Sequence, residues 1–456
     1  MTVNRSRLPD VAPDPHFTFP VIVRHTLDNG LHVRTVEHPS VPVISFIVQV
    51  DGGSGADPSH QEGLAAIAAD MIDEGTGSLS AIDVSDALAR IGADYDVDVG
   101  ADATTFGLTT LTRFADRGAS LLASLVTRPS MREEDFTRVR QLRLDRLRQL
   151  KDLPPAVAER AFLRLLYGTH PYGHLPIGND RALRGMTPAD VVGFHHSVYR
   201  PERATLVVVG ATTHREMARI AEDAFGSWDP KRGEASTSTA AADAPMNDGA
   251  RLAIIARDGA AQSELRIGQL ATRRNTPDYS ALLVMNAVLG GQFVSRVNLK
   301  LREEKGYTYG ARTGFDWRRA LAPFVLQASV HTAATADATR DALAEIGGIG
   351  GDRPPSTEEL TLARASLTRG YPRNFETVQQ VARGVAQLAL YHLPDTYFEE
   401  FIPKVNAVSA EDVVSVARRY LDPARLTTLI VGDHAAVSES LATVGLGSPE
   451  LLPSES

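Results

Sequence analysis

Tyr199-Arg-Pro-Glu-Arg-Ala-Thr-Leu-Val-Val-Val-Gly210 and Tyr420-Leu-Asp-Pro-Ala-Arg-Leu-Thr-Thr-Leu-Ile-Val-Gly432 follow one plan: a Pro/Arg turn, a β-branched run and a closing glycine. Such a run predicts a buried strand ending in a tight turn. Upstream, Thr187-Pro-Ala-Asp190 matches Ser409-Ala-Glu-Asp412. Each has a hydroxyl N-cap with a carboxylate three residues on, which marks a helix start. Further upstream still, Arg128-Pro-Ser-Met-Arg-Glu-Glu134 resembles Arg353-Pro-Pro-Ser-Thr-Glu-Glu359. The steps from Tyr199 to Tyr420, Thr187 to Ser409 and Arg128 to Arg353 are 221, 222 and 225 residues, so the register holds over most of each half. Two copies of one domain are expected.

Between the copies, Asp229–Ala250 is rich in Ser, Thr, Ala, Pro and Gly and poor in large apolar side chains. It reads as a linker, with a first domain over 1–228 and a second over 251–456. In the first half, strands are expected near 31–37, 43–52, 94–100, 104–111 and 204–209, and helices near 60–73, 115–126, 132–151, 155–167, 188–197 and 213–225. The second half repeats the scheme, with strands near 251–256, 263–270, 309–316, 323–330 and 426–431 and helices near 277–289, 294–304, 334–348, 356–368, 376–391 and 409–419. Strands mixed with blocks of helices predict the α+β class, a sheet with helices packed on one side.

Composition narrows the function. A chain of 456 residues exceeds what one core organises. Lys and Arg number 47 against 56 Asp and Glu, a formal charge of −9. No nucleic-acid partner is expected, because phosphate binding needs a basic face. No apolar stretch approaches the ~20 residues of a membrane helix. Met1–Pro20 carries basic residues without an apolar run behind them, so no secretory signal is visible. Cytoplasm is the default compartment, with periplasm left open. The absence of cysteine excludes disulfides, thiolate metal sites and thiol nucleophiles.

Residues 49–76 read QVDGGSGADPSHQEGLAAIAADMIDEGT. This stretch resembles the metal-binding segment of pitrilysin/insulinase-type zinc peptidases, which include mitochondrial processing peptidase. There a Gly-rich turn leads to a helix carrying Gly-Leu-Ala-His-x-x-Glu-His-Met and ending near Gly-Thr. Gly63-Leu64-Ala65, Met71 and Gly75-Thr76 match. The two histidine positions fall on Ala66 and Asp70, and the glutamate position falls on Ala69. Side chains at i and i+4 share one helix face and can grip one zinc, with the glutamate as base; alanine can do neither. The family's third ligand is a glutamate, and counting about 76 residues on from Asp70 reaches Arg146, whose guanidinium cannot bind a cation. No metal site is therefore expected in this chain. Other histidines give no replacement. Pro171 and Gly173 break any helix between His170 and His174, and His195 and His196 are adjacent and point apart.

Residues 289–310 read LGGQFVSRVNLKLREEKGYTYG. They are similar to the family segment in which a Gly-rich loop leads to Ser-Arg-Leu, a helix and Leu-Arg-Glu-x-x-Gly-x-x-Tyr. Leu301-Arg302-Glu303, Gly306 and Tyr309 match. The resemblance implies a two-domain, mostly antiparallel architecture and a role for Arg302 and Tyr309, which in single-chain members reach across a clamshell to substrate at the metal. Without it, Arg302 would be expected to pair with Glu303 or Glu304, and Tyr309 to be a half-buried strand aromatic. Gly290 and Gly291 are candidates for close approach to a peptide or partner, or a plain helix stop.

The expectation is a non-catalytic, substrate-binding subunit of a heterodimeric zinc metalloendopeptidase. Its partner would be a homologous subunit with an intact His-x-x-Glu-His motif that holds the zinc. The substrate would be a peptide or unfolded protein. The alternatives are a structural protein of the same fold, like respiratory core subunits, and a peptide binder that does not cleave.

Overall fold

The protein is described here by a computed structural model covering residues 17–229 and 251–453. All of the expected linker beyond Asp229 lies outside the described residues.

The first-half strands are β1 (Ile22–Thr26), β2 (His32–Glu37), β3 (Val43–Val50), β4 (Gly75–Thr76), β5 (Leu79–Ser80), β6 (Asp94–Val99), β7 (Thr104–Leu111) and β8 (Ala204–Gly210). Strands β4 and β5 form a small ribbon. The others make one sheet in the order β1-β2-β8-β3-β7-β6. Its pairs are antiparallel except β2 with β8. The second-half strands are β9 (Arg251–Ala256), β10 (Gln262–Thr272), β11 (Thr308–Phe315), β12 (Ala322–His331), β13 (Thr427–Gly432) and β14 (Glu450–Leu452). They make a second sheet, β11-β12-β10-β13-β9-β14, parallel only at β13–β9 and β9–β14. The order β6-β7-β3-β8-β2 maps onto β11-β12-β10-β13-β9, so the internal repeat is a repeat of fold.

Helices of the first half are α1 (Leu64–Asp70), α2 (Ala81–Arg90), α3 (Ala115–Thr127), α4 (Glu133–Lys151), α5 (Pro154–Tyr167), α6 (Asp180–Gly185), α7 (Pro188–Val198) and α8 (His214–Phe225). Those of the second are α9 (Tyr279–Leu289), α10 (Arg296–Asn298), α11 (Thr335–Gly350), α12 (Thr357–Thr368), α13 (Val378–Leu390), α14 (Tyr397–Ala407), α15 (Ala410–Tyr420) and α16 (His434–Leu441). The matched helix starts form reciprocal caps: Thr187 and Ser409 accept from the Asp190 and Asp412 amides, and each aspartate accepts from its N-cap amide. Among the described residues no helix is long and apolar enough to cross a membrane.

The two halves exchange a helix. Helix α5 leaves the first domain and packs on β10 and β13 of the second. Phe162, Leu165 and Leu166 join one buried cluster with Ala253, Ile255, Leu429 and Val431. In return α13 packs on β3 and β8 of the first sheet, where Val36, Ile47, Val207 and Val209 share a cluster with second-half residues. Each sheet thus has its own helices on one face and a borrowed helix on the other. Polar contacts fasten the hairpin between β11 and β12 to the first domain. The Arg319 amide donates to Asp102 at 2.9 Å, and its guanidinium donates to Asp51 at 2.7 Å. Tyr172 also donates to Asp102. Arg318 lies over the rings of Tyr167 and Tyr172, at 5.0 and 4.8 Å. A cavity of about 1150 Å³ remains between the sheets, walled by Asp96 and Thr105 on one side and Arg266 and Arg312 on the other.

Leu166 is 2% exposed within the α5 cluster. Leu166→Ala is expected to cost ~2–5 kcal/mol, and both domains should unfold in one transition. Urea unfolding followed by hydrogen exchange checks this; separate transitions with only one shifted would contradict the exchange.

Candidate functional site

Helix α1 starts at Gly63, held at φ +98. Asp57 fixes that start: its carboxylate accepts from the amides of Gly63 at 2.7 Å and Ala65 at 2.6 Å. His174 Nε2 lies 2.8 Å from the same buried carboxylate. Burial pushes the Asp57 carboxyl above its ordinary range, against the pull of His174 and the two amides.

Ala66 is 2% exposed and Ala69 is fully buried. Asp70 pairs instead with Arg143 of α4, Nε to Oδ2 at 2.6 Å. Arg146, where counting places the family's third ligand, is exposed and donates to Gln149 at 3.2 Å. Arg143, one helical turn earlier, is the guanidinium that reaches α1. One carboxylate, already paired with a guanidinium and flanked by alanines, supplies too few ligands, so these residues do not fit a zinc ion. Among the described residues no group of three or more metal-ligating side chains occurs. His170 caps the turn before Tyr172 through Nδ1, and His195 Nε2 lies 2.9 Å from the Val126 carbonyl.

The other motif assembles into a groove. Gly290, Gly291, Phe293, Arg302, Tyr309 and Arg312 line a depression of about 580 Å³ beside β11. Arg302 sits in a π-helical turn, Leu299–Glu304, that continues α10; such turns recur at functional sites. Its guanidinium lies 4.4 Å over the Phe293 ring and 3.5 Å from Glu303. Phe293 is itself 63% exposed. Tyr309 follows Gly306, held at φ +64. Pairing with β12 shifts register between Thr308 and Ala311, so a bulge on this edge strand re-aims the ring outward. Tyr309 is 87% exposed, not the half-buried aromatic that a regular strand would give.

The doubled glycine serves the chain itself. A Cβ on Gly290 would meet Thr313 Oγ1 at 2.5 Å and one on Gly291 would meet Asn286 Nδ2 at 2.6 Å. The close approach is to β11 and α9, although both residues also border the groove. Sequence reading missed Arg296, which ties α10 to the α12 start through Glu359 at 2.6 Å and the Arg353 carbonyl at 2.6 Å.

With this geometry in place, comparison with known proteins is direct. The insulinase (peptidase family M16) profile matches residues 32–178, and the peptidase M16 inactive domain profile matches residues 185–367. The chain belongs to peptidase family M16. An uncharacterized zinc protease of Mycobacterium leprae is 25% identical to this M16 chain over 415 residues, covering 91% of the chain and 92% of the relative. A probable mitochondrial-processing peptidase subunit beta of Schizosaccharomyces pombe is 25% identical over 266 residues, 58% of each protein. Among solved structures, a peptidase M16 inactive domain from Pseudomonas fluorescens superposes with a TM-score of 0.84 at 22% identity, covering 90% of this chain and 98% of that one. The α+β two-domain architecture is that of the family.

At the end of α1 this M16 chain carries an acidic trio, Asp70, Asp73 and Glu74. Burial raises the Asp73 carboxyl to about 6, with Glu74 and Asp70 adding to the rise. Folded Asp73 therefore holds its proton more tightly than the unfolded chain does. Its ionisation opposes folding, so stability falls as pH climbs from about 4 to 6 and stays lower above. Asp73→Asn is expected to leave stability unchanged near pH 4 and to raise it by about 1 kcal/mol at pH 8, after allowance for partial solvent screening. Urea titrations at the two pH values measure the difference; an equal effect at both would contradict it.

Proposed function

We propose that this M16 chain is the non-catalytic, substrate-binding subunit of a heterodimeric zinc metalloendopeptidase. It completes the site of a homologous zinc-bearing partner, one with an intact His-x-x-Glu-His motif, by contributing Arg302 and Tyr309. Supporting the proposal is a division within one chain. The helix that carries metal ligands in the family is closed by Asp70 and Arg143, while Arg302 and Tyr309 stand at an open groove.

The chemistry follows from the side chains. Water adding to a peptide carbonyl places negative charge on its oxygen. A phenol and a guanidinium already aimed at that oxygen stabilise the charge without reorganising. The flat guanidinium, braced on the Phe293 ring, also orients a carbonyl by its fixed fork of donors. Tyr309 has no burial to overcome and can reach a substrate held by a second subunit. The ligand would be a peptide or unfolded protein, because the groove is open and presents both a guanidinium and a phenol beside the end strand β11. Zinc belongs to the partner, and the isolated chain should take up no stoichiometric zinc in elemental analysis.

Tyr309→Phe removes one hydroxyl and leaves the ring. In the assembled complex it is expected to lower kcat by ~10²–10³ with a smaller change in KM. Arg302→Ala should lower kcat and raise KM together, because it removes an anchor as well. Steady-state kinetics on complexes of matched thermal stability test both. Near-normal turnover in the two variants would make the chain a scaffold.

A further inference from the structure

The Arg302–Tyr309 groove is built from two separate chain segments, and one buried side chain joins them. Asn298, at the end of α10, is 4% exposed. Its Nδ2 donates to the Phe293 carbonyl at 2.7 Å. Its Oδ1 accepts from the Ala311 amide at 3.1 Å. The first partner belongs to the loop whose ring braces Arg302. The second closes the bulge that turns Tyr309 outward.

A carboxamide donates and accepts at once across a rigid plane. Exchanging its two ends would set donor against donor and acceptor against acceptor, so the two contacts fix each other. An apolar side chain there would leave the buried Ala311 N–H unpaired and the part-buried Phe293 C=O without this donor. Thr308 supports the bulge from the other side: its Oγ1 donates to the Gly310 carbonyl at 2.9 Å and lies 3.1 Å from the Gly310 amide. Asn298, by contrast, reaches both segments.

We propose that Asn298 is a positioning residue that holds Arg302, through Phe293, and Tyr309, through the β11 bulge, at one fixed separation. The proposal rests on the reading that Arg302 and Tyr309 act on substrate as a pair. A shift of about 1 Å in either group is enough to cost on the order of 10²-fold in rate, so a single amide that sets both is a sensitive point.

The test has two parts. In the isolated chain, hydrogen exchange followed by mass spectrometry reads residues 292–295 and 309–313. Asn298→Ala should speed exchange in both segments by about tenfold or more while β10 and β12 keep their protection. A change in neither segment, or in one alone, overturns the coupling. In the complex, turnover of an internally quenched peptide library is compared for wild type, Asn298→Ala, Tyr309→Phe and the double variant. Asn298→Ala alone should lower kcat by about tenfold or more with KM within about threefold. In the Tyr309→Phe background it should cost clearly less than in wild type, because one of the two groups it positions is already disabled. Asn298→Asp keeps the acceptor for Ala311 and loses the donor to Phe293, so it should fall between; if Asn298→Ala does not fold, this variant decides, and wild-type turnover overturns the proposal. Full additivity with Tyr309→Phe also overturns it. If Tyr309→Phe itself leaves turnover intact, the pair reading fails, and that outcome is distinct from failure of the positioning role.

Discussion

The exchange of α5 and α13 between the two sheets is the constraint on which the remaining structure depends. A sheet covered on one face still exposes an apolar face, and each domain here borrows a helix from the other to cover it. The burial makes two homologous domains into one body. It also decides what stays uncovered. Strands β6 and β11 remain at the ends of their sheets, and the cavity between the sheets is walled by both. Arg319 and Asp102 then pin the β11–β12 hairpin to the first domain, so the edge that carries Tyr309 is held from its far end.

Within that body the two halves have diverged chemically. In the first, an ion pair between Asp70 and Arg143 stands on the helix face that the family uses for metal. In the second, strain-tolerant features accumulate around Arg302 and Tyr309: a π-helical turn, a glycine at positive φ and an edge bulge. These features weaken regular hydrogen bonding, and in return they aim two polar side chains outward. Asn286, Asn298 and Thr313 satisfy the backbone and side-chain groups that such irregularity would leave unpaired.

Much of the fold was legible because the repeat is written in local rules. Capping residues, β-branched runs and helical periodicity placed the core strands and most helices close to their observed ends. What escaped lay where those rules weaken. Strand β1 is an exposed edge with little alternation to read. Helix α14 contains Pro403, a residue that argues against a helix. Helix α2 carried a legible capping box at Ser80 and Asp83 that went unread. At the site, the spacing of Arg302 and Tyr309 was visible, but their separation from the core depends on the bulge and the π turn, which no periodicity announces. The Asp70–Arg143 pair joins two helices far apart in the chain, and no local rule announces it. The roles of Gly290 and Asn298 required three-dimensional neighbours far along the chain.

Native mass spectrometry of the complex purified through this chain, followed by metal analysis of its separated subunits, tests the central claim most directly. The account predicts one copy of this chain, one copy of a homologous M16 chain with intact His-x-x-Glu-His, and about one zinc that stays with the homologue. Zinc retained by this chain, or peptidase activity from this chain alone, would contradict it.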